Sequence, residues 1–152
     1  MDDVVNEFRQ IAAGADGFLF GTPVYYASAA GSMISFMDRV FYSEAYGNGG
    51  KSFYMKPAAA VISARRAGTT ATFDQMNKYF TIAQMPVVSS MYWNMVHGMA
   101  PEEVKKDEEG LYIMRVLGRN MAYILKCLKA GAEAGVAAPV SEPRIRTNFI
   151  RS

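Results

Sequence analysis

Two adjacent tyrosines, Tyr25 and Tyr26, follow directly on Thr22-Pro23-Val24. Two rings at the end of a strand suit a flat aromatic ligand, which they can stack against or edge. Further along, Ala64-Arg65-Arg66-Ala67-Gly68 sets two cations beside a glycine that permits close backbone approach. The bland reading of that arginine pair is solvated loop charge. Trp93 and Asn94 add an aromatic ring and an amide, able either to line a pocket or to cap a sheet. His97 is the only histidine. Its obvious use is proton transfer, but with no carboxylate beside it in sequence the favoured reading is a structural hydrogen-bonder. Cys127 is the only cysteine, so it forms no internal disulfide, and among Ile124, Leu125 and Leu128 it reads as a buried, inert thiol. One His and one Cys cannot complete a closed tetrahedral shell, so no metal site is expected. Asp38-Arg39 reads as a helix-end charge pair or subunit contact. Most of the eleven methionines read as core filling, with Met91, Met95 and Met99 as an adaptable rim.

The elements that must position these groups alternate strand and helix. Residues 18–20 form an apolar run expected to be a strand covered on both faces, which Pro23 stops by removing a ladder donor. From Ala29, the apolar residues Met33, Phe36, Met37, Val40 and Phe41 draw one stripe on a helix ending near Tyr42. Before that strand, Asp2 or Asp3 can cap a helix with Val4, Phe8, Ile11 and Ala12 on one face, ending at Gly14. Residues 58–63 are expected to form a second strand, followed by a helix capped by Thr69 or Thr70 with Phe73, Met76 and Phe80 inward. Residues 87–90 read as a third strand. Pro101-Glu102-Glu103 starts a short turn or surface helix. A long helix follows, striped by Leu111, Met114, Leu117, Met121, Ile124 and Leu128 and ending before Gly131 or Gly135. Pro139 and Pro143 then open a tail carrying Arg144, Arg146, Phe149 and Arg151. This gives one domain over residues 1–138 and a tail over 139–152. Alternation of this kind implies a parallel sheet with helices on both faces, with ligands outside the carboxyl ends of the strands, where residues 22–28 lie.

Thr22-Pro23-Val24-Tyr25-Tyr26, followed by a helix closing on Phe36-Met37-Asp38-Arg39, resembles the flavodoxin-like NAD(P)H-dependent FMN reductases and their iron–sulfur flavoprotein relatives. Two further segments match in order and spacing: residues 56–70 are similar to that family's next strand and flavin-edge loop, and 85–98 to the strand beyond. The resemblance implies an α/β flavodoxin-like three-layer sandwich. It implies FMN as cofactor, with NAD(P)H as hydride donor. On this reading Thr22, Pro23, Val24, Tyr25 and Tyr26 hold one side of the flavin. Ala64, Arg65, Arg66, Ala67 and Gly68 present amides and a cation to its pyrimidine edge, and Trp93 and Asn94 line the same pocket. No residue is assigned a catalytic role. Family members begin with a strand, a Ser/Thr/Gly-rich phosphate loop, a helix and a second strand. The sequence starts at what corresponds to the helix before their third strand, and the expectation is therefore an N-terminally truncated domain. In the family's strand order, 2-1-3-4-5, the strand at 18–20 would have an open edge, so a homodimer or higher homo-oligomer is expected.

Composition sets the outer limits. At 152 residues and 51% hydrophobic, the chain can bury a core of its own. A net charge of +2 gives little electrostatic reason to expect nucleic acid. No apolar run approaches the ~18 residues of a membrane span, and the acidic start is unlike a signal peptide, so a cytoplasmic protein is expected. The function implied is hydride transfer from NAD(P)H through FMN to a small molecule, such as a quinone, metal or nitro compound, or to a partner protein. Two alternatives stand beside it: a one-electron carrier between proteins, and a truncated, non-catalytic chain that self-associates.

Overall fold

The computed structural model describes residues 3–143 and 145–150. Helix α1 (Val4–Ala13) is capped by Asp3, whose carboxylate accepts the Val5 amide at 3.0 Å, and it closes at Gly14. The inward face runs through Val5, Phe8 and Ala12. Val4 and Ile11, expected inside, are exposed, because the stripe that meets the core is one position round from theirs. Asp2, the other candidate cap, lies outside the described residues, as do Arg144 and Arg151.

The sheet has four strands in the order β2-β1-β3-β4. Strand β1 (Phe18–Tyr25) runs parallel to β3 (Ala58–Ala64), with Phe18 opposite Ala58 and Pro23 opposite Ser63. Pro23 therefore does not end the strand. The Phe18 amide donates to Pro57 O at 2.9 Å, so residues 18, 20 and 22 turn their backbone groups to β3 and residue 23 turns the other way, where a missing N–H breaks no bond to β3. Two further expectations change here. Beyond Tyr25 the chain makes a two-residue hairpin to β2 (Ser28–Ala29), and β1 alternates buried and exposed instead of being covered on both faces. Phe18, Phe20 and Thr22 face inward, while Leu19, on the other side, is 59% exposed. The backbone groups of Leu19 and Gly21 face an edge on which no strand pairs among the described residues.

Helix α2 (Gly31–Gly47) buries Met37, Val40 and Phe41 on the expected stripe, but runs one turn past Tyr42 and buries Glu44 as well. That carboxylate accepts from Arg9 Nε at 2.8 Å and Asn48 Nδ2 at 3.1 Å, which is how a charge survives there. Phe8, Phe18, Phe20, Phe41, Phe53 and Phe80 pack together between the sheet and α1, α2 and α3 (Thr69–Ile82). In α3, Met76 and Phe80 are inward as expected, but the cap is Gly68, with Thr69 as a buried first residue.

The third expected strand is displaced. Val87 makes a single bridge to Ala58, the chain then loops out, and pairing resumes as β4 (Met95–His97) beside Ile62, Ser63 and Ala64. Helix α4 (Pro101–Val104) is the short surface helix. Asp107 caps α5 (Glu108–Glu133), whose Leu117, Met121, Ile124 and Leu125 cover Ala59 and Val88 on the second face of the sheet. Ile113 belongs to that stripe in place of Leu111 and Met114, and Leu128 is exposed. Cys127 is exposed too, contrary to the buried thiol expected, because the last turns of α5 run past the sheet they cover. The tail touches the body where Tyr54 OH donates to Pro139 O at 2.8 Å.

Candidate functional site

The carboxyl ends of the three parallel strands form a crest. Pro23 is level with Ser63, and Ala64 with His97, so residues 24, 64 and 97 stand in a row across the sheet. Neighbouring strands are about 4.8 Å apart, which makes the row one continuous surface about 10 Å wide.

Its first part is the β1–β2 hairpin. Tyr26 and Ala27 both have positive φ, 52° and 60°. This is the paired left-handed geometry of a tight hairpin, in which Asn and Gly are the usual residues. Non-glycine side chains held there store backbone strain, which concentrates at functional sites. Tyr25 is 61% exposed and Tyr26 fully so. The hairpin is anchored from below. Ser28 Oγ donates to Gln75 Oε1 at 2.9 Å, the Ala29 amide meets the same oxygen at 3.3 Å, and the Ala30 amide donates to Thr22 Oγ1 at 3.2 Å. Thr22 is thus a buried support and shows no hydroxyl to a ligand.

The second part is the loop after β3. Arg65, Arg66 and Ala67 are exposed, and their backbone amides find no acceptor among the described residues. They stand at the amino end of α3, where the helix dipole adds positive potential. Gly68 joins the two parts. It sits at φ +93°, and a Cβ there would lie 2.7 Å from Ala27 Cα and 2.8 Å from Val24 Cγ1. Only a glycine lets the two loops touch.

The third part was misplaced by sequence reasoning. Since Met95 pairs with Ile62, Trp93 and Asn94 precede β4 and lie about three residues, roughly 10 Å, below the crest. Trp93 is half exposed and packs on Tyr92, with ring centroids 4.6 Å apart. Asn94 is buried, and neither end of its amide has a partner among the described residues. The β4 residue at the crest is His97. Its amide donates to Asp107 Oδ2 at 2.7 Å, and Nδ1 stands 3.9 Å from the same oxygen. Asp107 is ten residues away in sequence, which is why adjacency gave no sign of it.

The residues of the crest fit the ring system of a flavin. Free amides at a helix amino end complement the electron-rich pyrimidine edge, and two exposed tyrosines can face a flat ring. A groove of about 970 Å³ lies elsewhere, between α1, Glu44 and Ser52. It is the weaker candidate, because its buried charge, Glu44, is already bonded within the protein. Burial alone would raise the Glu44 pKa, but hydrogen bonds from Arg9, Ser52 and Asn48 outweigh it and hold the carboxyl below its usual value. Among the described residues no group of three or more His, Cys, Asp or Glu could hold a metal, and no helix is long and apolar enough to cross a membrane.

Comparison with known proteins decides the family. Residues 1–100 match the model of the NADPH-dependent FMN reductases. The chain belongs to this family. It is 30% identical over 137 residues to an iron–sulfur flavoprotein of Methanocaldococcus jannaschii, covering 84% of this chain and 67% of that protein. Among solved structures, the Trp repressor binding protein of Bacillus subtilis superposes with a TM-score of 0.64 at 16% identity, over 76% of this chain and 73% of that one. The flavodiiron core of a Synechocystis species gives 0.57 at 14% identity, over 82% of this chain and 26% of that one. At such identities the structural likeness establishes the flavodoxin-like α/β fold. The FMN reductase family and the flavoprotein relative establish an FMN-dependent oxidoreductase in broad terms.

Proposed function

We propose that the crest binds the isoalloxazine ring of FMN and that the protein passes hydride from NAD(P)H to a small-molecule or protein acceptor. The observation that carries this reading is the junction at Gly68, where three free backbone amides meet a strained aromatic hairpin. When bound, the flavin supplies the hydride chemistry itself. The chain's part is to hold and tune it. The amides of Arg65, Arg66 and Ala67, with the α3 dipole behind them, would stabilise negative charge at the pyrimidine edge, and the two arginine side chains stand nearby to reinforce it. Tyr25 and Tyr26 would cover one side of the ring and keep water from it.

The open edge of β1 favours a second property, association into a homo-oligomer. Flavin fluorescence quenching and NADPH oxidation, measured on the full chain, test the reading together. Quenching with NADPH oxidation supports it. Quenching without oxidation would favour an electron carrier, and association without either would favour a non-catalytic role.

A further inference from the structure

We propose that His97, seated against Asp107, is the proton-donating residue of this site, acting on an acceptor that becomes an oxyanion as it takes a hydride. The inference rests on the functional reading above, and three features of the fold carry it. First, His97 is the β4 residue level with Ala64, one strand from the free amides of the β3–α3 loop. Second, its seat is rigid. Asp107 accepts the His97 amide through Oδ2 at 2.7 Å and the Gly110 amide through Oδ1 at 2.9 Å, so the carboxylate is fixed by two backbone donors. The Gly98 amide donates to Ala64 O at 3.0 Å, and a Cβ on Gly98 would lie 2.6 Å from the Val104 amide nitrogen, which locks the turn beyond the histidine. Third, the imidazole is accessible. Its side chain is 40% exposed, and it borders a recess of about 50 Å³ shared with Tyr92, Met95 and Glu109. With Nδ1 turned to Asp107, the Nε2 side is left for exchange with a substrate.

The charged or titratable groups that share its recess are Asp107 before α5, Glu109 on α5 and Tyr92 before β4, and Arg65 and Arg66 follow Ala64, the β3 residue level with it. Glu103 of α4 is engaged by the Met99 amide at 2.6 Å. The chemistry balances. A quinone acceptor takes two electrons and one proton as hydride at one carbonyl oxygen, supplied by NAD(P)H through the flavin. Its two C=O π bonds open as the ring becomes aromatic, and the second oxygen is left as an oxyanion. The imidazolium N–H breaks as the new O–H forms, and the neutral ring regains a proton from water.

His97 is the only histidine, so its imidazole C–H signals are identified in a proton NMR spectrum without further work. The full chain is titrated with FMN, followed by flavin fluorescence, and then with menadione, followed by those signals. Menadione should shift them saturably. In single turnover, His97→Gln and His97→Asn should slow reoxidation by menadione on the order of 100-fold, far more than they alter flavin reduction by NADPH. Unmoved imidazole signals, or normal reoxidation in both variants, would overturn the proposal. Unquenched flavin would contradict the functional reading instead, and the menadione shift would then decide this inference alone.

Discussion

Replacing Gly68 with Ala should separate the two loops of the crest. Two costs arise. An alanine at φ +93° pays the left-handed backbone penalty of about 1–2 kcal/mol. The new Cβ would also lie 2.7 Å from Ala27 Cα, where carbon atoms sit comfortably at about 3.5–4.0 Å, so the hairpin must retreat by roughly 1 Å. Together these should lower stability by about 2–3 kcal/mol and weaken flavin binding at least tenfold, since the amides of the β3–α3 loop and the rings of the hairpin no longer meet one ligand. The control is Gly49→Ala. Gly49 has φ +63° with nothing within 4 Å of its Cβ position, so it carries the backbone penalty without the collision. Urea unfolding and flavin fluorescence quenching on both variants separate the effects. If the two variants lose equal stability and neither loses flavin affinity, the junction does not build the site.

Other consequences are independent of Gly68. Changing Tyr25 and Tyr26 together to Ala should weaken flavin by about 1–3 kcal/mol in a quenching titration, with unfolding by urea little altered because both rings are exposed. Arg9→Met should destabilise by about 2–3 kcal/mol, below the usual cost of breaking a buried pair because Arg9 is 27% exposed. Glu44 has a folded pKa below its unfolded one, so its contribution is complete above the unfolded value and is lost as pH falls through the folded value. Stability curves in acid should be steeper for the natural chain than for Arg9→Met, and parallel curves would contradict the pairing. Leu19→Lys should weaken self-association at least tenfold in sedimentation, without changing the fold, by placing a charge beside the open edge. A natural chain that stays monomeric at high concentration would remove that argument.

Much of this fold is written in residue spacing. The 3.6-residue stripes of Met37-Val40-Phe41 and Met76-Phe80, and the short apolar run at 58–63, all lie where periodicity puts them. Local rules misled where the deciding partner was distant in sequence. Pro23 reads as a strand terminator, yet it is harmless because its nitrogen faces away from β3, a property of the sheet. Val87 to Ser90 reads as a strand, but β3 takes up only one bridge there and pairs again at Met95, which moves the crest residue from Trp93 to His97. Cys127 lies among apolar neighbours in sequence, yet α5 buries a different side of itself. The tyrosine pair and the glycine after the arginines stand out in the sequence as candidates, since their types fit a flat ligand. Their contact through Gly68, and the carboxylate behind His97, exist only in three dimensions.

The most direct test of the account is an amide proton–nitrogen NMR titration of the full chain with FMN. The account predicts saturable shifts concentrated at residues 24–27, 64–68 and 97–98, with the amides of Arg65, Arg66 and Ala67 moving furthest as they gain an acceptor. No shift at millimolar flavin, or shifts gathered around Arg9, Glu44 and Ser52 in the large groove, would contradict it.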